Sequence, residues 1–273
     1  MEILFNILNV IKYLIYALLI IAFVIFIFLN VSPVFGASPD KNTKEIIVNS
    51  ENFFEGKFRN IKTTYTNFRT LERKSTLKEW FFPPKDKNPL GPLPTIKFQG
   101  QDLTEGKFVW FGHSTLLMKT EGLVVMTDPV FNRASPLPSF SSKSKSSFFN
   151  GKPFVFENPI LIEDLPKVDI VIISHDHYDH LDSKAIKDLS NLVDHFIVPL
   201  GVGAHLERWG VDKNKITELD WYESKSYKDV EFIFAPALHF SGRGITNGNS
   251  TLWGSWIVKS KSLSAYFSGD GGY

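Results

Sequence analysis

The chain of 273 residues contains no cysteine. It therefore has no disulfide bond, no cysteine ligand for a metal and no thiolate nucleophile. An excess of one charge is also missing, because 30 lysines and arginines stand against 29 aspartates and glutamates, a net charge of +1. Without an overall positive field, nucleic acid is not expected as a partner. Because cysteine is missing, histidine and carboxylate side chains must supply any metal site. A Walker-type phosphate loop and a nucleophile elbow are absent as well.

Charge is also absent from a long apolar run near the N-terminus. Tyr13 to Leu29 reads YLIYALLIIAFVIFIFL, and apolar residues already dominate from Ile3 onward. About 20 apolar residues cross a bilayer as a helix. A run that is apolar on every side predicts a membrane segment rather than a buried core helix. Residues 1–37 are therefore expected to form a membrane anchor or a signal peptide.

Two features bear on whether this segment is cleaved. Val34-Phe35-Gly36-Ala37 resembles a small-residue signal peptidase site, whereas Lys12 is the only basic side chain before it. Both alternatives stay open at this point. In either case the chain beyond Ala37 is expected to be membrane-anchored or exported across the membrane.

The composition changes twice along the rest of the chain. Residues 38–100 contain proline-rich and aromatic stretches such as Phe81-Phe82-Pro83-Pro84, which predict an extended lead-in arm packed on the following domain. From residue 101 onward there are short β-type runs, among them KFVWF at 107, LVVMT at 123, DIVII at 169 and SWIVKS at 255. The run SSKSKSSFF at 141–149 predicts an exposed loop.

Helical stretches lie between some of these runs. Ser183 to Leu192 has apolar residues at helical spacing after Asp182, which predicts an N-cap, and Gly203 to Trp209 predicts a shorter helix. Strand-rich segments with helices between them favour layered sheets covered by helices. We therefore expect a domain of the α/β class over residues 101–273.

Six consecutive residues after the strand DIVIIS carry the strongest chemical signal, His175-Asp176-His177-Tyr178-Asp179-His180. In an extended or turning backbone, residues two apart project to the same side, so His175 and His177 can bind one metal ion. Asp179 and His180 can then reach a second ion. Zinc accepts imidazole nitrogen and carboxylate oxygen, so this run predicts a metal centre rather than a solvated loop.

Two further strand ends offer ligands. His239 follows the run FIFAPAL, and Asp270 follows AYFSG. Taken alone, His239 is typical of a core histidine and Asp270 of a turn, but strand ends at one edge of a layered sheet lie close together. The sequence therefore predicts His175, His177 and His239 on one zinc ion, Asp179 and His180 on the other, and Asp270 bridging both. A metal-bound hydroxide is then the nucleophile of a hydrolysis, with Asp179 and Asp270 as catalytic carboxylates.

The order His-x-His-x-Asp-His after a strand is the signature of the metallo-β-lactamase superfamily. The stretches WFGHSTLL at 110, DPVFNRASP at 128, SHDHYDHLD at 174, PLGVGAHLERWG at 199 and GDGGY at 269 resemble its N-acylphosphatidylethanolamine phospholipase D branch, over about residues 105–273. The resemblance implies an αββα sandwich, two zinc ions held by the ligands above, and a membrane phospholipid substrate. It implies cleavage of a phosphodiester in an N-acyl phospholipid, and it places Tyr178 near that phospholipid.

Other histidines receive different interpretations. His113 matches a motif of the branch, and a structural role in a loop beside the site is expected for it. His195 and His205 are interpreted as packing residues.

The sequence also departs from this branch. Relatives have threonine where Gly271 follows Asp270, and tryptophan where Phe240 follows the metal histidine. They continue beyond the position of Tyr273 and include a last metal histidine, so the resemblance predicts a C-terminally truncated domain with an incomplete second zinc site. The truncation leaves a catalytically inactive remnant of the family as one alternative. A sugar-phosphate lactonase-like hydrolase is the other, as the nearest rival within the superfamily.

Overall fold

The computed structural model of the protein describes residues 2–62, 89–136 and 153–272. The chain divides into two compact units, Met1–Phe35 and Gly36–Tyr273. The Phe81–Pro84 cluster and the loop expected at 141–149 lie outside the described residues.

Helix α1 (Glu2–Val31) forms most of the first unit. Its stretch Phe5–Val31 has 27 residues and a mean hydropathy of 3.0, which is long and apolar enough to cross a membrane. A membrane anchor and a signal sequence share these properties.

The second unit contains helices, two sheets and a short hairpin. Within its described residues the helices are α2 (Lys41–Asn49), α3 (Ser183–Leu189) and α4 (Gly203–Arg208). The first six strands are β1 (Phe53–Phe54), β2 (Lys57–Phe58), β3 (Phe108–Trp110), β4 (Leu116–Thr120), β5 (Leu123–Thr127) and β6 (Val168–Ile172). The others are β7 (Val193–Pro199), β8 (Ile216–Leu219), β9 (Ser224–Tyr227), β10 (Val230–Ala235), β11 (Ser255–Lys259) and β12 (Ser264–Phe267).

The two larger sheets differ in their strand pairing. A six-stranded sheet has the order β3-β4-β5-β6-β7-β8. The pairs β3–β4 and β4–β5 are antiparallel, and the pairs from β5–β6 to β7–β8 are parallel. A four-stranded sheet has the order β12-β11-β10-β9 and is antiparallel throughout. Strands β1 and β2 pair as a separate antiparallel hairpin.

Two apolar cores hold these layers together. The core between the sheets contains Ile170 and Ile172 of β6 together with Phe232 and Trp256 of the four-stranded sheet. The second core contains Val171, from the opposite face of β6, together with side chains of α3 and α4. Because β6 is buried on both faces, its sequence is a continuous apolar run rather than an alternating one. This arrangement confirms the expected α/β class, and the described residues supply the helical layer on the six-stranded sheet.

Most of the sequence-based elements agree with the structure, with three differences. Helix α3 begins after its Asp182 N-cap as expected but ends at Leu189 rather than Leu192, because β7 starts at Val193 and the chain must turn before it. Strands β8 and β9 were missed, since their short runs carry polar residues. The segment 38–100, expected to be extended, contains α2, whose first turn is capped by Asp40 accepting from Thr43 N at 2.8 Å.

Candidate metal centre

The candidate site lies at one edge of the two sheets. Strands β5 and β6 are parallel neighbours, so the loops that follow Thr127 and Ile172 leave the sheet on the same side. The two sheets are joined at this edge, where Gly254 N donates to Ser174 O at 3.0 Å and Trp256 Nε1 donates to Ile173 O at 2.8 Å. The loops after β6, β10 and β12 can therefore meet.

Three imidazoles converge in the first cluster. His175 Nε2 lies 2.8 Å from His177 Nδ1, and His239 Nε2 lies 3.2 Å from the first nitrogen and 3.3 Å from the second. Ligand atoms around a tetrahedral zinc with bonds of about 2.0–2.1 Å lie about 3.3–3.4 Å apart. Two of the three spacings match that value closely, so these residues fit a metal ion.

The second cluster contains Asp179, His180 and His113. His113 Nε2 lies 3.3 Å from His180 Nε2 and 3.3 Å from Asp179 Oδ2. His180 is almost completely buried, whereas the other two side chains are about half exposed. The second cluster therefore opens to solvent on the side of Asp179 and His113.

Asp270 lies between the two clusters. Its Oδ1 is 3.1 Å from His180 Nε2, and its Oδ2 is 3.8 Å from His239 Nε2. The two oxygens of one carboxylate thus point toward different clusters, which is the geometry of a bridging ligand. Gly269, with φ 53°, turns the chain immediately before this residue.

The electrostatics of the first cluster favour neutral imidazoles. Burial lowers the pKa of His175 well below its ordinary value, and the neighbouring histidines add to this effect. Burial, followed by His177, lowers the pKa of His239 to about 4. Metal binding requires neutral imidazole, so these rings are in the ligand form at neutral pH.

The second cluster has the opposite electrostatics. Burial lowers the pKa of His180, but its hydrogen bonds with Asp128 and Asp270 outweigh that effect and raise the pKa to about 10. The pKa of Asp179 is about 2; burial raises it, but the hydrogen bond with His113 and the charge of His180 outweigh this. In the metal-free chain His180 is therefore protonated at neutral pH, and a metal ion would have to displace the proton on its Nε2. The carboxylates that hold this proton supply the negative charge that would attract a metal cation.

The side chain of Asp128 orients the ring of His180. Its Oδ2 lies 2.7 Å from His180 Nδ1 and accepts from Ser174 Oγ at 2.6 Å, while its Oδ1 accepts from Ser174 N at 2.7 Å. With Nδ1 bonded to a carboxylate, Nε2 of His180 faces the cluster. Ser174 Oγ also contacts His175 Nδ1 at 2.9 Å, which directs His175 Nε2 into the first cluster.

Buried polar groups hold the loop that carries the histidines. Arg243 Nη1 donates to the carbonyl oxygens of Asp176 and Leu181, both at 2.7 Å, and its guanidinium lies 4.2 Å from the ring centre of Tyr178. The carboxylate of Asp176 accepts from Gly242 N at 2.7 Å and from Thr251 Oγ1 at 2.9 Å. Asp176 thus acts as a support for the loop.

The segment before residue 101 also contacts the site. Asn60 Nδ2 donates to His239 O at 2.9 Å, and His239 N donates to Asn60 Oδ1 at 3.3 Å, which fixes the backbone of that histidine. Ala37 N donates to Nδ1 of the buried His205 at 3.0 Å, and His205 Nε2 lies 3.4 Å from Asp176 Oδ2. Both ends of residues 37–60 are therefore tied to the loops of the site.

All six side chains expected to bind metal come together in the structure, in the groups described above. Tyr178, expected to contact phospholipid, has its hydroxyl bonded to Arg243 O, and its substrate role stays a prediction. His195 lies elsewhere and contacts Thr217 Oγ1 at 2.8 Å.

The sequence reasoning assigned no role to Asp128, Ser174, Arg243 or Asn60. A signal was available for Asp128, because it follows the apolar run LVVMT as His175 follows DIVIIS. Asn60 and Arg243 have no such pattern, and their contacts depend on tertiary structure.

The amino-acid sequence is similar to those of known proteins. The chain is 42% identical to an uncharacterized protein of Mycobacterium tuberculosis over 190 residues, 68% of this chain and 48% of that protein. It is 34% identical over 203 residues to N-acyl-phosphatidylethanolamine-hydrolyzing phospholipase D 1 of Caenorhabditis elegans, 70% of this chain and 54% of that protein. The chain thus spans about half the length of these relatives. A similar solved structure is CmlA, a diiron β-hydroxylase from Streptomyces venezuelae, with 23% identity, a TM-score of 0.45 and coverage of 62% of this chain and 30% of that one.

The family model of the beta-lactamase superfamily domain matches residues 124–273, more than half of the chain. The chain therefore belongs to the β-lactamase superfamily. The expected resemblance to the metallo-β-lactamase superfamily and to its N-acylphosphatidylethanolamine-hydrolysing branch is confirmed.

Proposed function

We propose that this protein is a zinc-dependent hydrolase that cleaves a phosphodiester in an N-acyl phospholipid, giving an N-acylethanolamine and phosphatidic acid. The observation that carries the proposal is the position of Asp270, whose two carboxylate oxygens point to two separate clusters of metal-ligating side chains. The Caenorhabditis elegans relative, which is named for hydrolysis of N-acyl-phosphatidylethanolamine, supports the choice of substrate.

We assign His175, His177 and His239 to one zinc ion and Asp179 and His180 to the other, with Asp270 shared. The donor set supports zinc, because it consists of imidazole nitrogens and carboxylate oxygens without thiolates. Zinc bound there would act as a Lewis acid and lower the pKa of a coordinated water to about 7, which permits hydrolysis at neutral pH.

The side chains around the centre have complementary tasks in this proposal. Asp128 holds His180 in one orientation through the 2.7 Å contact to Nδ1. Asp179 and Asp270 are 43% and 40% exposed, so a substrate approaching from solvent meets the centre on their side.

Exposed aromatic side chains flank the centre and support a lipid substrate. Phe240 lies with its ring centre 4.7 Å from those of both His177 and His239. Trp110 is 66% exposed, and its Nε1 donates to His113 O at 2.9 Å beside the second cluster. Apolar surface near a polar centre suits a substrate with a charged phosphodiester and apolar chains.

We also propose that α1 remains attached as a membrane anchor. The bond from Ala37 N to the buried His205 makes residues just after the apolar helix part of the catalytic unit. Cleavage after Ala37 would remove this contact. N-terminal sequencing of the protein purified from membranes tests this proposal, and a mature N-terminus at Ser38 would contradict it.

The function is tested on the full chain in detergent. Metal content is measured by mass spectrometry, and turnover of an N-acyl phosphatidylethanolamine in mixed micelles is followed by product mass. We expect two zinc ions per chain and both products, with loss of turnover in Asp270→Asn. His195→Asn serves as the control, because this histidine lies outside the site and is expected to leave metal content unchanged.

Three results would contradict the proposal in different ways. Fewer than one ion per chain would favour the inactive remnant. If the chain binds two ions and hydrolyses a sugar-phosphate lactone but no phospholipid, the proposed substrate is wrong and the metal centre stands. If the active preparation contains iron instead of zinc, the proposed identity of the metal is wrong.

A further inference from the structure

His113 lies in an unusual backbone conformation next to the second cluster. It sits in the turn between β3 and β4 with φ 45°, in the left-handed region that non-glycine residues rarely occupy. Trp110 Nε1 donates to His113 O at 2.9 Å, and Thr115 N donates to Gly112 O at 3.0 Å, so the turn is fixed from both sides. Strained residues of this kind persist where the surroundings hold them and are frequent at functional sites.

This turn places the His113 ring beside His180 and Asp179 of the second cluster. Its Nε2 lies 3.3 Å from His180 Nε2 and 3.3 Å from Asp179 Oδ2. Hydrogen bonds from N–H groups to acceptors usually span about 2.7–3.2 Å, so the contact between His113 and Asp179 that lowers the pKa of Asp179 is a long hydrogen bond. Both separations equal the separation of about 3.3–3.4 Å between two ligand atoms on one tetrahedral zinc ion.

The Nε2 atom of His180 is also oriented for metal binding. Because Asp128 occupies Nδ1 of His180 at 2.7 Å, the Nε2 atom is the one that faces His113. Asp270 Oδ1 lies 3.1 Å from the same Nε2. Four side chains from three loops, those of His113, Asp179, His180 and Asp270, thus direct one donor atom each toward a common region.

We propose that His113 binds the second metal ion through Nε2, together with Asp179, His180 and Asp270. The inference rests on the proposed two-metal function and adds a protein ligand from the β3–β4 turn. In this arrangement His113 forms the solvent-facing wall of the second site, since its side chain is 54% exposed. An ion pair between His113 and Asp179 without any metal is the competing interpretation.

The two interpretations predict different metal contents. The test uses zinc alone with the full chain in detergent, and compares wild type, His113→Ala, His113→Asn and the control His195→Ala. Asparagine tolerates the left-handed conformation but is too short to reach the ion. We expect two tight ions in wild type and in the control, and one tight ion with at least about a tenfold weaker second ion in both His113 variants.

A second measurement guards against a folding defect. Thermal unfolding of the metal-free chains is followed by circular dichroism, and His113→Asn is expected to unfold close to wild type. Two ions of unchanged affinity in a folded His113→Asn would overturn the assignment of His113 and leave the proposed function standing. Fewer than two ions in wild type would overturn both. A cobalt-loaded wild type whose visible absorption is the same as that of His113→Asn would also contradict the assignment.

Discussion

The buried carboxylate of Asp128 lies 2.7 Å from Nδ1 of His180, in a contact that links the end of β5 to the loop after β6. Ser174 donates its backbone N–H and its hydroxyl to the same carboxylate. A carboxylate behind a metal-binding histidine fixes the ring orientation and increases its basicity. The contact therefore connects sheet packing to the geometry of the candidate centre.

Substitution of Asp128 tests this connection. In Asp128→Asn the charge is lost while the size is kept, and we expect the affinity for the second zinc ion to fall by about 10–100-fold. Chelator competition measures the affinity. Asp194→Asn is the control, because the carboxylate of Asp194 pairs with Lys167 Nζ at 2.8 Å rather than with a candidate ligand. Equal zinc affinities in the two variants would contradict the role of Asp128.

The titration of His239 predicts a pH dependence of stability. Its pKa in the folded, metal-free chain is lowered to about 4, mainly by burial, whereas an unfolded histidine has a pKa of about 6.5. Between these values the unfolded chain binds more protons, so the free energy of unfolding falls as the pH drops from about 6.5 to about 4. This group contributes at most about 1.4 kcal/mol per pH unit.

Urea unfolding in the presence of EDTA measures this dependence. We expect the loss of stability between pH 6.5 and pH 4 to be smaller in His239→Asn than in wild type, since one titrating group is removed. If the free energy of unfolding falls equally with pH in both chains, His239 does not cause the loss of stability.

Gly36 is expected to tolerate no side chain. A Cβ atom there would lie 2.1 Å from His205 Nδ1, and φ is 76°. Gly56 has the same φ of 76° but nothing within 4 Å of the added atom. The two positions therefore share the backbone strain of about 1 kcal/mol and differ in the clash.

Gly36→Ala is expected to lower the free energy of unfolding by about 1–3 kcal/mol more than Gly56→Ala. Urea unfolding of both variants in detergent provides the comparison. Equal losses would mean that the chain after α1 does not pack on His205 in solution.

Arg243 provides a further test of how the histidine loop is held. Arg243→Met removes the donors to the carbonyl oxygens of Asp176 and Leu181, and each buried acceptor left without a partner costs about 1–3 kcal/mol. We expect a loss of about 2–5 kcal/mol in the free energy of unfolding. Arg59→Met, at an exposed position paired with Glu55, is expected to change it by less than about 0.5 kcal/mol. Similar losses in both variants would refute the role of Arg243.

Much of the site could be predicted from local sequence. Two histidines two residues apart after an apolar run must share a side of the chain, and the run itself must be buried in a sheet. His239 and Asp270 were predicted because they too follow apolar runs. In each case the pattern lies within a few residues of the side chain concerned.

The contacts of other residues arise only from the fold. His113 is 67 residues from His180, and Asn60 is 179 residues from His239, yet both pairs meet at the same edge. Local patterning does not specify which turn faces which loop, because that depends on the register and packing of two sheets.

The sequence by itself determined the apolar N-terminal helix, the α/β class and the six side chains at strand ends, because these follow from hydrophobic periodicity and residue chemistry over short spans. Only the tertiary structure decided that Asp128 orients His180 and that Asn60 holds the backbone of His239. The physical reason is that such positions are set by the packing of one sheet against the other, to which residues far apart in the chain contribute together.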